Sequence, residues 1–85
     1  MDTYQTFTIR FIGKLGIFLS AEKRTRVFSH TVRGRPSIKD TVEALGVPHP
    51  EIDCLVVDGR PVDFDYQIKG GEKIRVYPDI WQGGL

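Results

Sequence analysis

The fold is decided by the stretch SIKDTVEALG at residues 37–46, which carries the helical periodicity of the chain. Apolar side chains recur there at the i, i+4 and i+7 spacing of one helical face, at Ile38, Val42 and Leu45. Ser37 is a typical N-cap with Asp40 three residues on, and Gly46 stands where a left-handed C-terminal cap belongs. The stretch predicts a helix of about two turns over residues 38–45, which needs packing to be stable.

Outward from this helix, five segments have the alternating, β-branched or aromatic pattern of strands. They lie at residues 6–12, 26–33, 54–57, 60–64 and 73–77. The first and last are the most apolar and are predicted to lie centrally and parallel, whereas Pro61 places the fourth on an edge. Residues 14–23 are predicted to be a connection, with apolar side chains packed beneath it at Ile17, Phe18 and Leu19. Strands before and after one helix indicate an α+β fold, a mixed sheet of about five strands with the helix on one face.

Length and composition point to one small domain rather than to an enzyme. The chain has 85 residues, 40% of them hydrophobic and 27% charged, and no apolar run of the roughly 18 residues that span a bilayer. A polar N-terminus and a single cysteine predict a cytoplasmic protein, and Cys54 is expected to be a buried small hydrophobic residue. Neither His30 nor His49 has partners at metal-ligand spacing, and no phosphate-binding loop is present. We therefore expect no catalytic residues, no metal and no bound cofactor.

Charge is distributed unevenly along the sequence. Residues 1–42 hold eight basic and three acidic residues, whereas residues 43–85 hold four basic and eight acidic ones. If the fold keeps the halves apart, the domain has a basic and an acidic side that steer a charged partner. The candidate contacts to RNA phosphates or to a protein are Arg24, Arg26, Arg33 and Arg35. The overall pI of about 7.9 is below that of a typical nucleic-acid-binding domain.

Several stretches resemble one ubiquitin-like family. They are Pro36-Ser37-Ile38-Lys39-Asp40, residues 43–49 (EALGVPH), Val57-Asp58-Gly59, residues 62–66 (VDFDY) and residues 71–78 (GEKIRVYP). Together they are similar to the ubiquitin-like domain found in front of the Mut-seven C-terminal RNase domain, over about residues 7–78. The resemblance implies a prokaryotic ubiquitin-like β-grasp domain at residues 1–78. It also implies a non-catalytic interaction module whose partner is a protein such as a nuclease, or RNA.

Beyond Pro78 the sequence instead resembles the ThiS and MoaD sulfur carriers, which end in a Gly-Gly pair shortly after the last strand. Gly83-Gly84 would be that carrier C-terminus, at the end of a flexible tail at residues 79–85. The resemblance implies a partner enzyme that uses ATP to adenylate the terminal carboxylate. Leu85 departs from the pattern, so a processing protease is a further expected partner. Ile80 and Trp81 are expected either to anchor a partner or to fold back on the sheet, and the free chain is expected to be a monomer.

Overall fold

The computed structural model describes residues 3–79, which form one sheet and one α-helix. The elements are β1 (Tyr4–Phe11), β2 (Phe28–Arg33), α1 (Ile38–Ala44), β3 (Ile52–Val57), β4 (Arg60–Val62) and β5 (Lys73–Pro78). Three short 3-10 helices lie in the connections, at Gly13–Phe18, Ala21–Lys23 and His49–Glu51. The α+β class predicted from the sequence is confirmed.

The sheet has the strand order β2-β1-β5-β3-β4. β1 and β5 run parallel at its centre, while the other neighbouring pairs are antiparallel. The predicted central, parallel placement of the first and last strands is therefore confirmed. β4, which contains Pro61, lies on an edge as predicted, because proline cannot donate a ladder hydrogen bond.

The core lies between α1 and one face of the sheet. Inward-facing strand residues and the apolar helix stripe form one cluster with loop residues, and its fully buried members include Phe7, Ile9, Phe11, Leu15, Ile38, Val42, Val47, Leu55, Ile68 and Val76. Alternate residues of the strands are thus used for packing, as period-two patterning requires. The remaining alternate residues are left on the opposite face.

The helix has the caps that the sequence predicts. The Ser37 hydroxyl oxygen accepts a hydrogen bond from the Asp40 N–H at 3.1 Å, and Gly46 has a φ of +102°. The Val47 N–H donates to the Val42 carbonyl at 3.0 Å, which satisfies a carbonyl of the last turn. α1 ends at Ala44, one residue earlier than predicted, with Leu45 as its C-cap.

The connection between β1 and β2 differs from the prediction in its packing. Leu15 and Leu19 are buried, whereas Ile17 is 70% exposed. The 3-10 helices set this pattern, since their tighter turn places Ile17 on the outer side. β2 starts at Phe28 rather than at residue 26, because residues 24–26 form a turn and bend, in which Thr25 has a positive φ of 59°, and pairing with β1 begins at Phe28.

Candidate functional site

The side of the sheet opposite α1 is called here the open face. Strand side chains that point away from the core are exposed there, at Thr6, Arg10, Ser29, Thr31, Lys73 and Arg75. The Thr6 and Thr31 hydroxyls hydrogen-bond to each other across β1 and β2 at 2.9 Å. The open face is therefore polar on the β2 side and increasingly cationic toward the centre.

Arg10, Lys73 and Arg75 form a cationic stripe at the centre of the open face. Arg10 and Arg75 are direct partners across the parallel β1–β5 pair, and Lys73 pairs with Thr8. The three side chains line one shallow depression of about 340 Å³. Within residues 3–79, no carboxylate lies at salt-bridge distance from any of the three. Like charges opposite each other destabilise a sheet, so the fold carries this arrangement at a cost.

An apolar groove of about 700 Å³ lies beside the cationic stripe. Its walls include Ile12, Lys14, Cys54, Val56, Tyr77 and Pro78. Val56 is the cross-strand partner of Arg75, so the groove and the stripe share a border. The open face thus combines an apolar depression with adjacent unpaired cations.

Cys54 is not the buried residue that its apolar run predicts. It is partly exposed in the groove, opposite Tyr77. Leu55 and Val57 face the core, so strand alternation places Cys54 and Val56 on the open face. The register irregularity between Ile52 and Cys54 lets Ile52 face the core as well, which sequence alternation does not reveal.

The groove lies where the described chain ends. Pro78 forms part of its wall, and the Asp79 N–H donates to the Glu51 carbonyl at 3.0 Å. The predicted tail sites lie outside the described residues, namely Ile80, Trp81, Gly83, Gly84 and Leu85. Gly84 is five residues beyond Asp79, so covalent geometry alone keeps it within about 18 Å of that anchored point.

The four arginines predicted to bind a partner are not brought together. Arg24 Nε donates to the carbonyls of Gly16 and Leu19, at 2.9 and 3.1 Å, and so closes the β1–β2 connection. Arg26 precedes β2, whereas Arg33 ends β2 and Arg35 follows it. A strand of this length separates the two pairs by roughly 17 Å. Partner binding by these arginines stays a prediction, but they do not form one patch.

The expected basic and acidic sides are likewise not separated. The parallel pairing of β1 with β5 places the two halves of the chain side by side at the sheet centre. Lys73 and Arg75 come from the acidic half, yet they join Arg10 from the basic half. The cationic stripe could have been anticipated from the sequence, because cations occupy the polar positions of two strands already predicted to be neighbours.

The two histidines lie away from the open face. The His30 ring packs edge-on against Phe7 at 5.8 Å, and burial, with a smaller effect of the Lys23 charge, lowers its pKa. His49 Nδ1 contacts Glu43 Oε2 at 2.5 Å, and this hydrogen bond is the main cause of a lowered Glu43 pKa. Among the described residues, no group of three or more histidine, cysteine or acidic side chains could hold a metal ion.

Comparison with known proteins defines the class of the fold. The crystal structure of SAMP1 from Haloferax volcanii matches with a TM-score of 0.56, at 16% sequence identity, over 88% of this chain and 96% of that chain. No curated protein matches the sequence. The mixed five-strand sheet with one helix on its inner face is a ubiquitin-like β-grasp fold.

The sequence also matches the family described as Mut7-C ubiquitin, over residues 4–82. The chain belongs to the Mut7-C ubiquitin family. The β-grasp fold predicted from the sequence is confirmed, and so is the resemblance to the ubiquitin-like domain associated with the Mut-seven C-terminal RNase domain. Small ubiquitin-like domains of this kind are typically non-enzymatic modifiers or carriers. Among residues 3–79 there is no helix with the length and apolar content needed to cross a membrane.

Proposed function

We propose that this protein is a cytoplasmic sulfur carrier whose working group is the carboxylate of Gly84. A protease removes Leu85 and any residues beyond it, and a partner enzyme then activates the exposed terminus. The observation that carries the proposal is the Gly83-Gly84 pair close behind the last strand of a ubiquitin-like domain. Glycines suit this role because a chain without Cβ atoms enters a narrow site and lets another backbone approach closely.

The chemistry requires two steps, both performed by the partner. The Gly84 carboxylate oxygen attacks the α-phosphorus of ATP, and pyrophosphate leaves to give an acyl adenylate. Hydrosulfide then attacks the acyl carbon, AMP leaves, and a thiocarboxylate remains. The carrier contributes no acid, base or cofactor to either step.

The described geometry supports this role in two ways. The chain leaves the domain at the edge of the apolar groove, anchored by the hydrogen bond between Asp79 and Glu51. Since Gly84 lies within about 18 Å of that anchor, a partner that engages the tail also meets the open face.

The test is incubation with ATP, hydrosulfide and an adenylating enzyme from the same organism, read by intact mass. A chain ending at Gly84 should gain the mass of an adenylate and then that of an oxygen-to-sulfur exchange. The chain with Leu85 retained should not react. A matched chain ending at Gly84 with Gly83→Ala and Gly84→Ala is expected to react far more slowly, since added Cβ atoms obstruct a narrow site. Equal reaction of all three chains, or of none, would count against the proposal.

A second candidate is a non-catalytic module that recruits a protein or RNA. The exposed cations of the open face favour it, because their side chains form no salt bridge within the described residues. Titration with single-stranded RNA at several salt concentrations tests the RNA form. Affinity that falls steeply with salt, with no reaction at Gly84, would favour this module over the carrier.

A further inference from the structure

We infer that the open face docks a protein surface in which acidic side chains surround one protruding apolar side chain. The inference rests on the proposed function and deepens it, because the partner docked there is the enzyme that activates the tail. The apolar side chain occupies the groove beside Tyr77, and the acidic groups meet the cationic stripe.

The electrostatic part of the argument begins with the missing carboxylates. Arg10 and Arg75 face each other across neighbouring strands, and no acidic group within residues 3–79 forms a salt bridge with them. Such an arrangement is unfavourable in the free chain and becomes favourable when an anionic partner covers it. The partner therefore gains attraction and also relieves a repulsion that already exists.

The apolar part of the argument concerns the groove. It is about 700 Å³ in volume, and its lining is largely apolar, with Cys54, Val56 and Tyr77 among the residues that form it. A protein interface typically places an apolar or aromatic anchor at its centre and charges at its rim. The groove and the stripe have this arrangement, with Lys14 and Arg75 on two sides of the apolar surface.

These features favour a protein over a nucleic acid. The net charge is only +1, and the acidic residues Asp53 and Asp58 stand on the same part of the surface. A phosphate backbone carries its charges at fixed spacing and would bring some phosphates close to those carboxylates. An acidic protein surface can place its carboxylates on the cations alone and fill the groove with one side chain.

The test uses the full chain and three defined probes, and NMR chemical shifts of the chain's amides report the binding of each probe. One probe is a short peptide of glutamates around a central leucine, the second replaces the glutamates with lysines, and the third is oligouridylate. The acidic peptide should shift amides of β1, β3 and β5 around the groove, with an affinity at least about tenfold above that of the lysine peptide. Equal shifts from both peptides, shifts confined to Arg24 and Arg26, or stronger binding of oligouridylate would overturn the inference.

Arg75→Glu supplies the matched variant. It should weaken binding of the acidic peptide at least threefold while leaving the chain folded, whereas Lys39→Glu, which makes the same charge change on α1 at the other side of the sheet, should leave binding unchanged. Equal weakening by both variants would mean that binding depends only on the net charge of the chain, and this result would overturn the docking site.

An enzyme assay separates this inference from the proposed function. With a chain ending at Gly84, Arg75→Glu should raise the KM for adenylation and leave kcat unchanged. If the wild-type chain is never adenylated but binds the acidic peptide at the groove, the proposed function fails and the docking surface stands. If adenylation proceeds with the same KM for both chains, the docking surface fails and the carrier stands.

Discussion

The Tyr66 hydroxyl donates a hydrogen bond to the Glu72 carboxylate at 3.0 Å, and this carboxylate is almost fully buried, with 3% of the residue exposed. Two backbone N–H groups also donate to it, from Lys69 at 2.6 Å and Gly70 at 2.8 Å. Burial raises the pKa of Glu72, but the hydrogen bonds outweigh burial and the pKa lies below its ordinary value. Glu72 is therefore ionised, and its carboxylate stabilises the β4–β5 connection through these hydrogen bonds.

Replacing Glu72 by glutamine should destabilise the fold. An amide keeps one acceptor oxygen but presents N–H groups to donors, so we expect a loss of about 1–3 kcal/mol at neutral pH. Glu22→Gln, at an exposed position, serves as the control and should change stability little. Urea unfolding curves measure both, and similar small losses in the two variants would contradict the role assigned to Glu72.

The lowered pKa of Glu72 predicts that the free energy of unfolding depends on pH. Because the pKa of Glu72 is lower in the folded chain than in the unfolded one, its contribution is fully present above its ordinary pKa of 4.5. That contribution is lost as the pH falls through the lower folded-state pKa. The stability difference between wild type and Glu72→Gln should therefore shrink below pH 4.5, and a difference independent of pH would speak against it.

Ser37→Ala tests the cap of α1. The Ser37 hydroxyl accepts from the Asp40 N–H, and its loss should cost about 1 kcal/mol of unfolding free energy. Ser20 is a matched control, because it precedes the 3-10 helix Ala21–Lys23 without making a side-chain cap. Thermal unfolding of the two alanine variants should show a clear loss for Ser37 and almost none for Ser20. Equal losses would mean that the cap contributes nothing specific.

Arg75→Glu should stabilise the free chain even as it weakens docking. It replaces a like-charge pair with an opposite-charge pair across β1 and β5, which favours the sheet by about 0.2–1 kcal/mol. The gain should decline with added salt, because both side chains are exposed. Chemical unfolding at low and high salt measures it. A loss of stability at low salt would show that Arg10 and Arg75 do not interact as their register implies.

Glu43 and His49 offer a second ionisable pair to examine. The hydrogen bond from His49 is the main reason that the pKa of Glu43 is lowered. In a His49→Phe variant, whose ring retains the packing against Phe64, the pKa of Glu43 should return toward its ordinary value. Carboxyl carbon NMR shifts followed with pH report it directly. If the pKa of Glu43 were the same in the variant and in the wild type, its lowering would have a cause other than His49.

Elements with a strong local pattern could be predicted from the sequence, and features set by distant contacts could not. The helix at residues 37–46 carries both of its cap signals within its own sequence, and the apolar alternation of β1 reports its buried face. The burial predicted for Cys54 was wrong because only one face of β3 is covered, so Leu55 and Val57 are buried and Cys54 is not. The burial of Glu72 has no local signal, since a charged residue in a Gly-rich turn is ordinarily exposed.

The candidate site divides in the same way. The Gly-Gly pair is visible in the sequence, but the grouping of predicted arginines was inferred from their nearness along the chain. These arginines are close in the sequence, but the extended strand β2 separates them, with Arg26 and Arg33 toward its opposite ends. Arg10 and Arg75 are 65 positions apart and become neighbours only through strand pairing.

The parallel contact between β1 and β5 has a consequence for synthesis of the chain on the ribosome. β1 is made first, but its central neighbour is made last, so the sheet is incomplete until Lys73–Pro78 has left the exit tunnel. Until then the strands form only two separate pairs, β1–β2 and β3–β4, and a two-stranded unit is marginal in water. Contacts of such long sequence separation slow folding, because the loop-closure entropy is spent before they form. A nascent chain stalled before residue 73 should remain sensitive to protease, and resistance should appear in one step once β5 is free.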